Sequence, residues 1–231
     1  MSGIIREEII GDCRLILGDC LEVLPTLGKV DAIVTDPPYG LGDKWTAGGR
    51  GKWPLADRDM RGGGGAWDSV AAEMSPIVSL AKTSIVWGGN YFDLPQSRGW
   101  LVWDKIVRDF STGVCELAWT NLDQPIKAFN YSHGALATEG KSHPTQKPLP
   151  LMKWCLGFLP DGVTVLDPYM GSGTTGVACV ATGRAFIGIE LNEAYFETAC
   201  ERIRRAYAQP DMFVGAPAAK PKQLSILDGA A

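Results

Sequence analysis

The sequence predicts one alternating α/β domain, a mainly parallel sheet covered by helices on both faces, and three observations carry that expectation. Short apolar runs alternate along the chain with stretches of helical periodicity. A glycine-rich turn joins one such run to a helix near residue 171. The length, 231 residues, suits a single well-buried core and is short for that core plus a second full-sized domain.

Taken in order, the apolar runs 13–17, 32–35, 84–87, 99–103, 115–120, 163–166 and 185–189 read as strands. Helical patterns begin near Cys20, Ser69, Gln146, Thr174 and Asn192. The last is the clearest. Behind Asn192 as N-cap, Ala194, Phe196, Ala199, Cys200, Ile203 and Tyr207 recur at helical spacing, and Arg202, Arg204 and Arg205 lie toward the C-terminal end. Residues 1–11 are polar with isolated Ile pairs; no strand is predicted there, and the lack of a basic start and apolar centre sets the expectation of a cytoplasmic protein without a signal peptide.

Two segments break the alternation. Residues 40–68 hold Gly48-Gly49, Gly51 and the run Gly62–Gly65 without apolar periodicity, which predicts a mobile or functional loop rather than a simple connection. Residues 209–231, rich in Pro and Ala, read as an extended or disordered tail, so the domain is expected to span 1–208.

Composition narrows the classes further. With 45% hydrophobic and 21% charged residues and no apolar run near the roughly 18 residues of a membrane span, a soluble protein with no membrane association is expected. Six cysteines without C-x-x-C spacing predict reduced, mostly buried thiols and no metal site. A net charge of −4 excludes a globally basic nucleic-acid binder, so any such contact must come from a local patch.

The chemistry starts at Asp167-Pro168-Tyr169-Met170-Gly171-Ser172-Gly173-Thr174-Thr175. A buried strand ending in an acid and turning through two glycines into a helix lets backbone approach a ligand closely, with helix N–H groups facing it. Further on, Glu190 sits at the tip of another predicted strand, followed by Leu191 and Asn192, where its carboxylate can accept hydrogen bonds from both ribose hydroxyls of a nucleoside-bearing cofactor. The second motif is Asp36-Pro37-Pro38-Tyr39 after the run ending at Thr35. Prolines stiffen the backbone and leave carbonyls free, so an amino group held between the Asp36 carboxylate and the Pro37 carbonyl would turn its lone pair toward an incoming methyl. Tyr39 would offer a ring for a base to stack on.

Together these motifs resemble the amino-methyltransferases of DNA, and their order, catalytic before cofactor loop, resembles the circularly permuted β group. Gly18-Asp19-Cys20 is similar to that family's adenine-contacting element, which implies Asp19 on the adenine amino group. His143-Pro144-Thr145-Gln146-Lys147-Pro148 resembles the segment lining the methionine end of the cofactor. The resemblance spans residues 12–205 and implies a Rossmann-like, class I methyltransferase fold, circularly permuted, with seven strands of which one is antiparallel. It implies S-adenosyl-L-methionine as cofactor, and adenine N6 rather than cytosine N4 as target, since Asp at the head of the tetrapeptide is typical of the former. The base would be flipped from double-stranded DNA and methylated directly, without a covalent cysteine intermediate.

Lys44, Trp45, Arg50, Lys52, Arg58 and Arg61 in the 40–68 loop suit a clamp on DNA phosphates. A recognition region is expected in 107–141, flanked by Lys105, with Arg108, Asn121, Gln124, Lys127 and Asn130 as candidates to reach phosphates or base edges. Because that region is small, a homodimer is expected, which would suit a palindromic site. Nothing in the sequence identifies a restriction endonuclease partner. His133 and Trp87, Trp100, Trp103, Trp119 and Trp154 read as structural residues. Two rival readings are the same chemistry on RNA or on protein glutamine, where the cofactor loop generally comes first, and a catalytically silent DNA-binding subunit.

Overall fold

A computed structural model describes residues 3–41, 70–106, 113–132 and 146–208. The strands are β1 (Ile4–Ile10), β2 (Cys13–Gly18), β3 (Val30–Thr35), β4 (Ala81–Trp87), β5 (Gly99–Asp104), β6 (Cys115–Thr120), β7 (Lys127–Asn130), β8 (Val165–Asp167) and β9 (Phe186–Glu190). The helices are α1 (Cys20–Leu27), α2 (Met74–Val78), α3 (Leu149–Leu156), α4 (Thr174–Ala181) and α5 (Glu193–Ala208).

All nine strands form one sheet in the order β1-β2-β9-β8-β3-β4-β6-β5-β7. The block β2-β9-β8-β3-β4 is parallel throughout. Side chains alternate across it: Leu15, Val34, Ile85, Val165 and Phe186 pack under α3, α4 and α5, whereas Ile16, Ile33, Val86, Leu166 and Ile189 face α1 and α2. Near-continuous apolar runs in these strands follow from burial on both faces.

The sheet departs from expectation in strand count. It has nine strands rather than seven, and two run antiparallel, β1 against β2 and β6 between β4 and β5. β1 was not predicted because it is an edge strand with one partner: its IIREEII sequence alternates half-buried and exposed positions, and the row needs no continuous apolar run. β7, at the other edge, is four residues long, too short for a period to show.

Two helix starts also differ. The pattern expected from Ser69 becomes a helix at Met74, and Gln146 lies in extended chain, with α3 starting behind Pro148, whose ring favours an extended residue before the first turn. In α5, Asn192 caps as expected, its Oδ1 accepting from the amides of Ala194 and Tyr195 at 2.9 and 3.2 Å. Ala194 is exposed, and Ala206 completes the buried stripe instead. Five of the six free cysteines are buried and Cys115 is exposed. Among the described residues no helix is long and apolar enough to cross a membrane.

Candidate active site

Three adjacent parallel strands end in acids at the same edge of the sheet: Asp36 follows β3, Asp167 closes β8 and Glu190 closes β9. A cavity of about 640 Å³ lies over these tips. Asp36 and Pro38 line it from one side, Gly171, Ser172, Thr174 and Thr175 from the other, so the two motifs share one cleft. This is the switch-point geometry in which open α/β sheets bind ligands beyond the carboxyl ends of their strands.

Asp167 builds the loop. Its Oδ1 accepts from Thr35 Oγ1 at 2.7 Å and from the Tyr169 amide at 3.1 Å, and its Oδ2 accepts from Thr175 Oγ1 at 2.7 Å, so one carboxylate ties β3, β8 and the first turn of α4 together. Burial raises its carboxyl to about 6, while these hydrogen bonds favour the ionised form. Gly173 adopts a left-handed φ of +78°, and a Cβ there would stand 2.8 Å from that of Ala199, so both conformation and space demand glycine. Arg202 of α5 clamps the loop from behind, its Nη1 donating to Ser172 O at 2.6 Å, Ser172 Oγ at 2.8 Å and Thr174 Oγ1 at 3.1 Å.

Glu190 accepts the Gly171 amide on Oε2 at 2.9 Å and the Asn192 amide on Oε1 at 2.7 Å. Burial raises this carboxyl to about 7, partly offset by those two amides. Each oxygen keeps a further lone pair, which is what a vicinal diol would need.

Asp36, half-buried, sits in a charge cluster with two buried lysines. Its Oδ1 accepts from Tyr39 Oη at 2.6 Å and its Oδ2 from Lys147 Nζ at 2.5 Å. Lys147 Nζ also lies 3.1 Å from Glu116 Oε2, an ion pair off hydrogen-bond alignment, while Lys105 Nζ lies 2.8 Å from Glu116 Oε1. Burial alone would lower the Lys147 ammonium, but Asp36 and Glu116 outweigh it and hold it above its ordinary value. Burial likewise opposes ionisation of Glu116, and Lys147 and Lys105 outweigh that too, keeping it at about 2. Burial pushes Asp36 up, against the pull of Lys147.

The expected site residues divide as follows. Asp19, Cys20, Gln146, Lys147, Pro168, Tyr169, Leu191 and Asn192 line the cavity with the acids and the loop already described. The Asp19 side chain caps α1, accepting from the Leu21 amide at 2.9 Å. Pro37 is buried and, like Tyr39 and Gly173, does not line the cavity. The Tyr39 ring, expected to stack on a base, stacks on Tyr91 at 5.0 Å between centroids and meets Phe92 edge-on at 6.1 Å. Lys105 corrects the expectation of a DNA contact: it is 3% exposed and committed to Glu116, so it cannot reach a phosphate. Asn121 is likewise taken, its Oδ1 accepting from the Ser84 amide and its Nδ2 donating to Lys82 O. Within the expected recognition region 107–141 the described residues are 113–132, and they carry the strands β6 and β7. Lys44, Trp45, Arg50, Lys52, Arg58, Arg61, Arg108, His133, His143 and Thr145 lie outside the described residues, as does the tail 209–231.

Three residues of the site were not anticipated. Glu116 carries no motif and is brought in by the antiparallel pairing of β6, opposite Trp103. Arg202 had been assigned to the helix end; its reach to the glycine loop depends on how α5 packs. Gly88, left-handed at φ +69°, packs so close to Tyr39 that a Cβ would stand 2.1 Å from the ring; a glycine pair after a strand was its only signal.

The fold and the two motifs sharing one cleft define an α/β methyltransferase. The chain belongs to the N6/N4 DNA methylase family, whose pattern its residues 79–201 match. It is 30% identical over 217 residues to YubD of Escherichia coli (strain K12), a protein named as a methylase, covering 82% of this chain and 89% of that one. It is 46% identical over 69 residues to the DNA adenine methyltransferase YhdJ of the same organism, covering 29% of this chain and 24% of that one. Solved structures share the fold, two of them as follows. The M1.HpyAVI–SAM complex superposes with a TM-score of 0.53 at 24% identity, covering 82% of this chain and 99% of that one. PvuII DNA methyltransferase (cytosine-N4-specific) gives 0.56 at 14% identity, covering 90% and 96%.

Proposed function

We propose that this protein transfers a methyl group from S-adenosyl-L-methionine to N6 of an adenine flipped out of double-stranded DNA. The observation that carries the reading is the shared cleft: Asp36 and the glycine loop 171–173 open on one cavity at the tips of neighbouring strands. The cavity suits the cofactor by volume, within the roughly 300–1,000 Å³ of small-molecule sites, and by its donor set, since Glu190 presents a carboxylate to a ribose diol. Gln146 and Lys147 border the same space on the Asp36 side.

When bound, S-adenosyl-L-methionine supplies a methyl group activated on a sulfonium. The chain's part is to bind, orient and exclude water. Asp36 accepts one N–H of the target amino group and the Pro37 carbonyl the other, which orients the nitrogen lone pair toward the cofactor side of the cleft. Tyr39, held by its hydrogen bond to Asp36 and by Tyr91, fixes the carboxylate and forms an aromatic wall beside the entering base. Unstacking the base costs on the order of a few kcal/mol, which protein–DNA contacts must offset. Lys44, Arg50, Lys52, Arg58 and Arg61 are proposed for those contacts, and a homodimer for site recognition.

The test is methyl transfer from labelled S-adenosyl-L-methionine to unmodified double-stranded DNA, with the products separated as nucleosides. N6-methyladenine from the wild type, and a fall of at least a hundredfold for Asp36→Ala with cofactor binding retained, are expected. Equal activity of the two proteins overturns the role of Asp36. N4-methylcytosine as the only product overturns the choice of base.

A further inference from the structure

Each oxygen of Asp36 already holds one donor, Tyr39 on Oδ1 and the Lys147 ammonium on Oδ2, so a target amino group meets a carboxylate whose charge is already paired. To take the place on Oδ2, the amino group needs Lys147 to yield it. Its side chain is 7% exposed, and its Nζ lies 5.7 Å from the ring centroids of both Tyr39 and Trp87. A buried ammonium does not give up a carboxylate unless another is at hand.

Glu116 is that second carboxylate. Its Oε2 is inaccessible to solvent, lies 3.1 Å from Lys147 Nζ, and has no aligned hydrogen bond among the described residues. Its other oxygen is fixed by Lys105, itself 3% exposed and placed 5.3 Å from the Trp103 ring centroid. A buried, solvent-free acceptor left without an aligned donor is costly in a native structure. Here a shift of Lys147 Nζ from Asp36 toward Oε2, already 3.1 Å away, would satisfy it.

We propose that Lys147 stands in for the target amino group on Asp36, and that Glu116, held by Lys105, is the positioning residue that receives Lys147 when the base arrives. This rests on the reading of Asp36 as the acceptor of the amino group. The exchange conserves charge: a neutral amino group replaces an ammonium on Asp36, and the ammonium remains paired, now with Glu116. The cluster of Asp36, Glu116, Lys105 and Lys147 is neutral before and after. Between turnovers Lys147 occupies Oδ2 of Asp36 and pairs its charge.

The test is the single-turnover rate of methyl transfer to unmodified DNA, with the affinity for S-adenosyl-L-methionine measured alongside for every variant. Glu116→Gln removes the receiving carboxylate and locks Lys147 on Asp36. A slowing of about tenfold or more is expected, the size of one charge-assisted hydrogen bond, with cofactor affinity within about twofold. Two double variants separate the exchange from a simple charge effect, since both restore neutrality to the cluster. Glu116→Gln with Lys147→Met removes the occupant along with its receiver and is expected to be faster than Glu116→Gln alone. Glu116→Gln with Lys105→Met leaves Lys147 on Asp36 and is expected to stay as slow as Glu116→Gln. The proposal is overturned if the Lys147 double variant is no faster than Glu116→Gln, if both doubles recover equally, or if Glu116→Gln loses cofactor binding. A wild type that fails to methylate DNA at all would instead overturn the parent reading, so the two failures are distinct.

Discussion

Replacing Glu190 by Gln separates what this carboxylate does for the cofactor from what it does for the fold. Its two oxygens each hold one backbone amide, from Gly171 at 2.9 Å and Asn192 at 2.7 Å, and on the proposed reading each also accepts one ribose hydroxyl. The amide of Gln has one accepting oxygen, so one ribose hydroxyl loses its acceptor, worth about 2 kcal/mol for a bond to a charged group, or roughly 30-fold in affinity. Stability should change less. The buried charge whose ionisation burial opposes is removed, while one backbone amide loses its partner, and these effects have opposite sign. The pH dependence sharpens the test. Unliganded Glu190 is raised to about 7, and hydroxyl donors bind its ionised form, so affinity is present above pH 7 and lost as pH falls through it. Between pH 6 and 8 the wild type should gain about tenfold, because the ionised fraction rises by that factor. The Gln variant should lose this dependence, apart from any slope near pH 6 that belongs to Asp167, whose carboxyl sits at about 6. Calorimetric titration with S-adenosyl-L-methionine, beside thermal melts, reads both quantities. An affinity within about threefold of wild type, or a gain centred near pH 7 that survives the substitution, refutes the ribose assignment.

Other outcomes follow from the same geometry. Gly88→Ala places a methyl 2.1 Å from the Tyr39 ring at a left-handed backbone position, so the ring must move and carry its bond to Asp36 with it; methyl transfer should fall at least about tenfold while cofactor affinity, measured by titration, stays within about twofold, because Tyr39 does not line the cofactor cavity. Arg202→Ala removes three hydrogen bonds to Ser172 and Thr174, and should weaken cofactor binding by roughly tenfold or more with transfer at saturating cofactor nearly intact; a kcat loss with unchanged cofactor affinity would show that the clamp does not act through the loop. Thr175→Val leaves Asp167 Oδ2 without its donor and should lower the unfolding free energy by about 1–3 kcal/mol, read by denaturant melts.

The parallel core was legible because strands buried on both faces are continuous apolar runs, and β2, β3, β4, β8 and β9 are of that kind. The edges were not. β1 mixes Ile4, Ile5, Ile9 and Ile10 with Arg6, Glu7 and Glu8, whose charges pair with Arg14, Glu197 and Arg204 across the surface, so charged residues stand where an apolar run would have marked a strand. The same distinction divides the site. Asp36, Asp167, Glu190 and the glycine loop are announced by local chain chemistry, an acid where a strand ends and a glycine where φ turns positive. Lys105 and Glu116 announce nothing locally. Lys105 follows a strand and reads as a surface cation, and only the antiparallel pairing of β5 with β6, Trp103 opposite Glu116, turns the pair inward. Which residues of two strands face each other is what a single sequence carries least of.

Three carboxylates on adjacent strand tips would repel one another if all stood ionised in one low-dielectric cleft, and their fields do reach each other: Asp36 raises Asp167, and Asp167 raises Glu190. The fold keeps them compatible by giving each a different neutraliser. Asp167 is surrounded by two hydroxyls and an amide, donors fixed in the framework, so it is spent on structure. Glu190 has only backbone amides and, among the described residues, no cation, so its charge is available to neutral donors of a ligand. Of the three, and among the described residues, only Asp36 is paired with a cation, and that cation has a second carboxylate within reach. On the proposed reading an amino group displaces a cation at Asp36 and that cation stays paired with Glu116, whereas the donors on the other two acids are hydroxyls and amides fixed in the framework. The position at which methylation chemistry is proposed is thus the one position in the row where a polar partner can be exchanged.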